Sequence, residues 1–332
     1  MSFKPICTAI VTAVSVALLA APQFAQGEQV FRAVSAFPKT NPLTQSFLRF
    51  IDKANKNSKG LFTIRYIGGP EVTKPREQPN AMRNGLFDMM YGPGPYYVGL
   101  LPELEFYHYT VPKEARANGL YDLFRPVMKE KMGARFMGWF DSGWGLHLFT
   151  VNEPKRTASG GIDLTGLKLR SSPAYRDFIK VLGGTAVVMS GGEMYTALQR
   201  GTIDGMGTSV QSVVDLKLVK FVKYRIDPPM THPGILMNVN QKVWDSLPKE
   251  AQDLLDKLCA DWEVESRAYW KSALDKLEAK LASEGMKVVT LPDAAAKDFV
   301  RTFRKGPWAR LKKNPKVKID LDKLKKLVNY EE

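Results

Sequence analysis

The sequence predicts an α/β protein of two similar lobes, each a β-sheet flanked by helices, with a long C-terminal helix backing both. Three observations carry that prediction. From Val30 short apolar runs alternate with longer helical patterns, the signature of α/β architecture. The same order restarts near Leu167 and carries a ten-residue echo of the first half. After Ser246-Leu247-Pro248, a helix start with proline in the first turn, the helical pattern runs unbroken to Glu284.

In the first half, strands are expected over 30–36, 62–67 and 87–91, and helices over 42–55 and 78–84, the latter stopped by Gly85. In the second half the order is a strand over 167–171, a helix over 174–182, a strand over 186–189, a helix over 192–200 stopped by Gly201, and a strand over 203–206. The echo pairs residues 81–90 with 197–206. Both read Ala, apolar, two polar, Gly, any residue, apolar, Asp. Each glycine suits a left-handed helix cap, and each Asp falls in the following strand. A further strand is expected over 235–240. Residues 151–161, with Pro154, Lys155, Arg156, Ser159 and two glycines, read as an exposed connection near a crossing between the lobes. The expected division is 28–148 with 234–275 for lobe I, and 149–233 with 276–332 for lobe II and a basic tail.

The first 27 residues are read as a cleaved signal peptide. After Lys4 no charge occurs before Glu28, the run 6–21 is apolar, and Ala25 and Gly27 fit a small-x-small cleavage site. That run is shorter than the roughly 20 apolar residues a spanning helix needs. The mature chain is therefore expected in the periplasm. Cys7 would leave with the signal, so Cys259 stands alone there, on an apolar helical stripe that marks it as a buried residue.

The formal charge is +14, from 48 Lys and Arg against 34 Asp and Glu in 332 residues. Residues 301–332 hold eleven basic and four acidic side chains, about half of the excess, with Trp308, Leu311, Leu321, Leu324 and Leu327 between them. That interleaving fits amphipathic packing rather than a nucleic-acid arm. No Walker loop, Gly-x-Ser-x-Gly elbow, Cys-x-x-Cys or His-Glu-x-x-His occurs, and the three histidines, His108, His147 and His232, are isolated. No enzyme, cofactor or metal site is indicated.

The remaining chemistry is a possible anion clamp. In the run 163–170 alternation sets Lys168 and Arg170 on one face and Leu167 and Leu169 on the other. A guanidinium at a strand end can hold a carboxylate by two parallel hydrogen bonds. A strand arginine taken alone is more commonly half of a surface ion pair.

Larger motifs change that balance. Residues 163–170, Gly183-Gly184-Thr185-Ala186-Val187-Val188-Met189, and the run Glu193 through Gly205 resemble the core signature of DctP-type substrate-binding proteins of TRAP transporters. Asn240, Trp244-Asp245-Ser246-Leu247-Pro248, Gly85 to Asp88 and Leu101-Pro102-Glu103-Leu104 are similar to its other landmarks. The resemblance covers nearly the whole mature chain. It implies a periplasmic-binding-protein-like fold whose lobes close on an organic acid and hand it to small and large membrane permease subunits. The alternatives are a ligand-sensing subunit of the same fold and, behind it, a periplasmic enzyme.

By this resemblance Arg170 is the carboxylate-binding arginine. His147 falls where the family often carries a second arginine, Thr208 where a ligand-contacting Asn is common, and Gly191 where a large apolar residue often covers the ligand. Glu71 sits where the first lobe contributes polar contacts. Tyr91, Tyr96, Tyr97, Trp139 and Trp144 lie in segments expected to border the cleft, although each is equally a core residue by type. The loop Gly92-Pro93-Gly94-Pro95 is expected to be preset near the ligand. Together they predict a roomier, less cationic pocket, suited to a monocarboxylate with an apolar or aromatic body.

Overall fold

A computed structural model describes residues 28–106, 109–172 and 175–330. The predicted signal segment, His108 and the start of the helix expected over 174–182 lie outside the described residues.

The first sheet contains β1 (Gln29–Ser35), β2 (Phe62–Gly68), β3 (Met89–Pro93), β4 (Ala134–Phe140) and β12 (Ile235–Asn240), in the order β2-β1-β3-β12-β4. The second contains β5 (Leu146–Thr150), β8 (Lys168–Ser171), β9 (Thr185–Val188), β10 (Gly205–Ser209), β11 (Tyr224–Thr231) and β13 (Lys287–Thr290), in the order β13-β11-β5-β10-β8-β9. A small hairpin of β6 (Lys155–Arg156) and β7 (Ile162–Asp163) holds the connection read from Pro154 and the glycines. In each sheet the strands of the repeated unit are parallel: β1 with β2 and β3, and β8 with β9 and β10. Of the strands at the two crossings, β12 pairs antiparallel with β3 and β5 antiparallel with β10, while β4 pairs antiparallel with β12 and β11 antiparallel with β5.

Local chemistry explains the elements. Helix α1 (Pro42–Asn57) starts where the Asn41 side chain accepts the Leu43 amide at 2.9 Å, with proline in the first turn. Its Phe47, Phe50, Ile51 and Ala54 recur at helical spacing and are buried on the first sheet. Helices α2 (Gln78–Arg83), α3 (Pro112–Ala117) and α4 (Leu120–Met132) complete lobe I, with α5 (Arg176–Val181), α6 (Met194–Gln199) and α7 (Val210–Asp215) on lobe II and α8 (Gln241–Ser246) after β12.

The sequence echo is a structural repeat. Gly85 and Gly201 both adopt left-handed conformations, at φ 79° and 66°. Each Asp then pairs with the adjacent strand: Asp88 accepts the Arg32 amide on β1, and Asp204 accepts the Lys168 amide at the start of β8, both at 2.8 Å. These bonds delay the strands. They begin at Met89 and Gly205, two residues beyond the expected starts, because the intervening residues form the turn that delivers the aspartate.

Helix α9 (Lys249–Ser283) backs both lobes. Its first half buries Leu255, Cys259 and Trp262 in the core of lobe I, and Leu281 enters that of lobe II. The basic segment forms α10 (Asp293–Lys313) and α11 (Leu321–Leu327) and packs across both lobes. Phe299 meets Phe178 of lobe II at 4.9 Å between ring centres, and Trp308 meets Phe106 of lobe I at 5.0 Å. Arg310 binds Glu105 and Asp177, one from each lobe.

Candidate functional site

The parallel units aim the carboxyl ends of their strands at the space between the lobes, the position where open α/β sheets take ligands. A cavity of about 360 Å³ lies there. Phe37, Pro93, Pro95 and Tyr96 close it from lobe I, Ser209 and Ser212 from lobe II, and Trp144 and Trp270 from the hinge side. The Gly-Pro loop thus supplies a wall. Tyr96 and Trp144 are both half-buried there, and Phe37 stands 6.3 Å from Tyr96 between ring centres.

Arg170 is one strand further along lobe II, on β8 beside β10. It is half-buried between exposed Lys168 and buried Leu169, as alternation requires. Its Nε donates to the Met189 carbonyl at 3.2 Å, and Nη1 donates to the Gly207 carbonyl at 2.9 Å and the Tyr175 hydroxyl at 2.6 Å. The Tyr175 hydroxyl donates in turn to Gly207 at 2.5 Å. Burial raises the Tyr175 phenol pKa, with Arg170 pulling the other way, so it stays protonated. A Cβ at Gly207 would come within 2.4 Å of the Tyr175 ring, so glycine there admits the tyrosine. Among the described residues no carboxylate pairs with Arg170, and its Nη2 makes no hydrogen bond. All the groups that hold it are neutral, which leaves the cationic charge uncompensated.

His147 and Thr208 face each other in register across β5 and β10, both buried. The His147 Nδ1 lies 2.8 Å from Asp227, which also takes Arg225 at 2.8 Å, while Arg225 reaches Glu278 at 2.9 Å. Burial works against the Asp227 charge, but the nearby His147 ring and the Arg225 hydrogen bond hold its carboxyl below the usual range.

Other expected contacts fall elsewhere. Tyr91 is fully buried, its ring stacked on Phe47 at 4.7 Å and its hydroxyl bonded to Asp141, because β3 is central and covered by α1. Tyr97 and Trp139 are also core residues. Glu71 is exposed and turns its carboxylate onto the Gly69 amide at 2.7 Å, a bond that lowers its pKa. Gly191 lies in a single 3-10 turn with open space at its Cβ position, the nearest atom being Met194 Cε at 3.8 Å.

Sequence reasoning missed Tyr175, Phe37, Trp270 and Asp141. Tyr175 lies five residues beyond Arg170, a spacing that a strand-turn-helix reading could have used. Trp270 falls inside the long helical pattern that ends at Glu284, which gives no sign of which lobe or cleft it meets.

The family model DctP, bacterial extracellular solute-binding protein, family 7, matches residues 33–306. The chain belongs to that family. The C4-dicarboxylate-binding periplasmic protein DctP of Rhodobacter capsulatus is 26% identical over 303 residues, covering 88% of this chain and 84% of that one. A TRAP periplasmic solute-binding protein from Rhodobacter sphaeroides, solved apo and open, has a TM-score of 0.78 at 16% identity, covering 91% of this chain and 98% of that one. DctP7 of Bordetella pertussis, a receptor binding pyroglutamic acid, has a TM-score of 0.67 at 20% identity, over 91% and 99% of the two chains. The protein is thus a bacterial extracellular solute-binding protein of the DctP family, with the fold of TRAP periplasmic solute-binding proteins. These relatives are receptors rather than enzymes. No helix among the described residues is long and apolar enough to cross a membrane.

Proposed function

We propose that this receptor binds a monocarboxylate with an apolar or aromatic body, after export by cleavage of its first 27 residues, and closes its lobes around it. The observation that carries the reading is Arg170, a guanidinium braced by three neutral acceptors, with no counter-charge among the described residues and Nη2 open to a ligand. A carboxylate on Nη2 supplies the missing charge. Closure removes water and strengthens that pair. The neighbouring cavity is lined mostly by apolar side chains, aromatic, proline and leucine among them, and its one charged lining residue is the carboxylate Asp215. A second carboxylate would therefore be desolvated without a partner.

The family does not choose the acid: a relative is named for C4 dicarboxylates and a fold neighbour binds pyroglutamic acid. Native mass spectrometry of freshly purified protein, followed by calorimetry with pyroglutamate, benzoate, succinate and glucuronate, tests the choice. Benzoate or pyroglutamate is expected to bind more tightly than succinate and glucuronate. Tight binding of only the latter two rejects it.

A further inference from the structure

We infer that Asp141 is the positioning residue for the two tryptophans that wall the cleft, and that it thereby sets which ligand bodies fit. The effect on ligand choice rests on the receptor reading above; the positioning does not.

Asp141 is the first residue after β4, where the chain leaves lobe I for lobe II. It is fully buried and holds a left-handed conformation at φ 52°, rare for any residue except Gly, Asn and Asp. Its Oδ1 accepts the Trp270 indole N–H at 2.7 Å and the Ser46 hydroxyl at 2.5 Å, and Oδ2 accepts the Tyr91 hydroxyl. Its backbone carbonyl accepts the Trp144 indole N–H at 2.6 Å, and its amide donates to Ser266 Oγ at 2.9 Å. One residue thus gathers donors from α1, β3, α9 and its own crossing.

The two indoles it holds are the two that line the cavity from the hinge side. An indole has one donor. Fixing that donor fixes the plane of the ring. Trp270 depends on the side chain of Asp141 and Trp144 on its carbonyl, so the two dependences separate by mutation. The left-handed backbone lets Asn and Gly replace Asp without new strain. Gly keeps the carbonyl for Trp144 and removes the acceptor for Trp270.

The test uses ¹⁵N-labelled mature protein, with the indole resonances assigned through Trp270→Phe and Trp144→Phe. In Asp141→Gly, the Trp270 indole proton is expected to exchange with solvent at least about tenfold faster, while the Trp144 proton keeps its shift and rate. Asp141→Asn, which retains one oxygen acceptor, is expected to restore protection partly. An unchanged Trp270 resonance in folded Asp141→Gly overturns the assignment, and so does equal loosening of both indoles. Should Asp141→Gly fail to fold, the same comparison is made in Asp141→Asn, where an unchanged Trp270 shift and rate overturns it. In calorimetry, Trp270→Phe and Asp141→Asn are both expected to weaken benzoate or pyroglutamate about tenfold relative to succinate; equal losses for all three reject the role in ligand choice. If the wild type binds none of these acids, the receptor reading fails by itself and the indole resonances still decide the assignment.

Discussion

The two lobes grow from the same local grammar and differ at the strand ends that face each other. In each, a helix stops at a left-handed glycine and an aspartate three residues later binds the first sheet strand beside it, Asp88 on Arg32 and Asp204 on Lys168. Beyond that point they diverge. Lobe I continues into Gly92-Pro93-Gly94-Pro95 and presents proline and aromatic rings. Lobe II continues into Gly207-Thr208-Ser209, whose first carbonyl, with the Tyr175 hydroxyl, braces Arg170. The shared part builds the scaffold. The divergent part differs in chemistry, with the uncompensated charge of Arg170 on one lobe and proline and aromatic rings on the other.

That division breaks most sharply at Arg170. Arg170→Ala should weaken ligand binding by at least about 2 kcal/mol, roughly 30-fold, because the bound carboxylate loses its charged partner. Calorimetry checks it, and unchanged affinity removes lobe II's charge from the site. Next come the scaffold aspartates. Asp88→Ala should lower unfolding stability by about 1–3 kcal/mol, because it strips the part-buried Arg32 amide and the Arg32 guanidinium of their acceptor, and Asp204→Ala by less, because the Lys168 amide is exposed and water can replace the lost acceptor. Ligand affinity should hold in both; a selective loss of affinity would make the repeat part of the site.

Smaller effects sharpen the comparison. Tyr175→Phe removes the hydroxyl shared by Arg170 and Gly207 and should weaken binding by about 1 kcal/mol, some fivefold, with little change in unfolding midpoint. The smallest is a pH effect confined to lobe II. Asp227 is held below its unfolded value, so its contribution to stability is present above roughly pH 3.9 and is lost as pH falls through the lower folded value. Asp227→Asn should flatten that acid limb in a denaturant series; an unaltered limb removes the His147-Asp227-Arg225 cluster as its origin.

Much of this was legible along the chain. Glycine caps and period-two alternation act over a few residues, so Gly85, Gly201 and the face of Arg170 could be read locally. The order of short strands and helices gave two lobes, and the apolar stripe around Cys259 marked its burial. Tyr91 was misplaced for the opposite reason. Its segment does end at the cleft, but alternation turns its ring toward α1, and only the packing of α1 on β3 shows that this side is core.

By itself, then, the sequence determined the two-lobed α/β plan and the long backing helix, because each depends on neighbours in the chain, whereas Arg170 stood out only through the resemblance to a known family. The tertiary structure decided what braces that charge and what walls the cleft. Tyr175 joins Gly207 across 32 residues, and Trp270 joins Asp141 across 129. Contacts of that separation leave no periodic trace in a single sequence, since they are set by which elements the fold packs together.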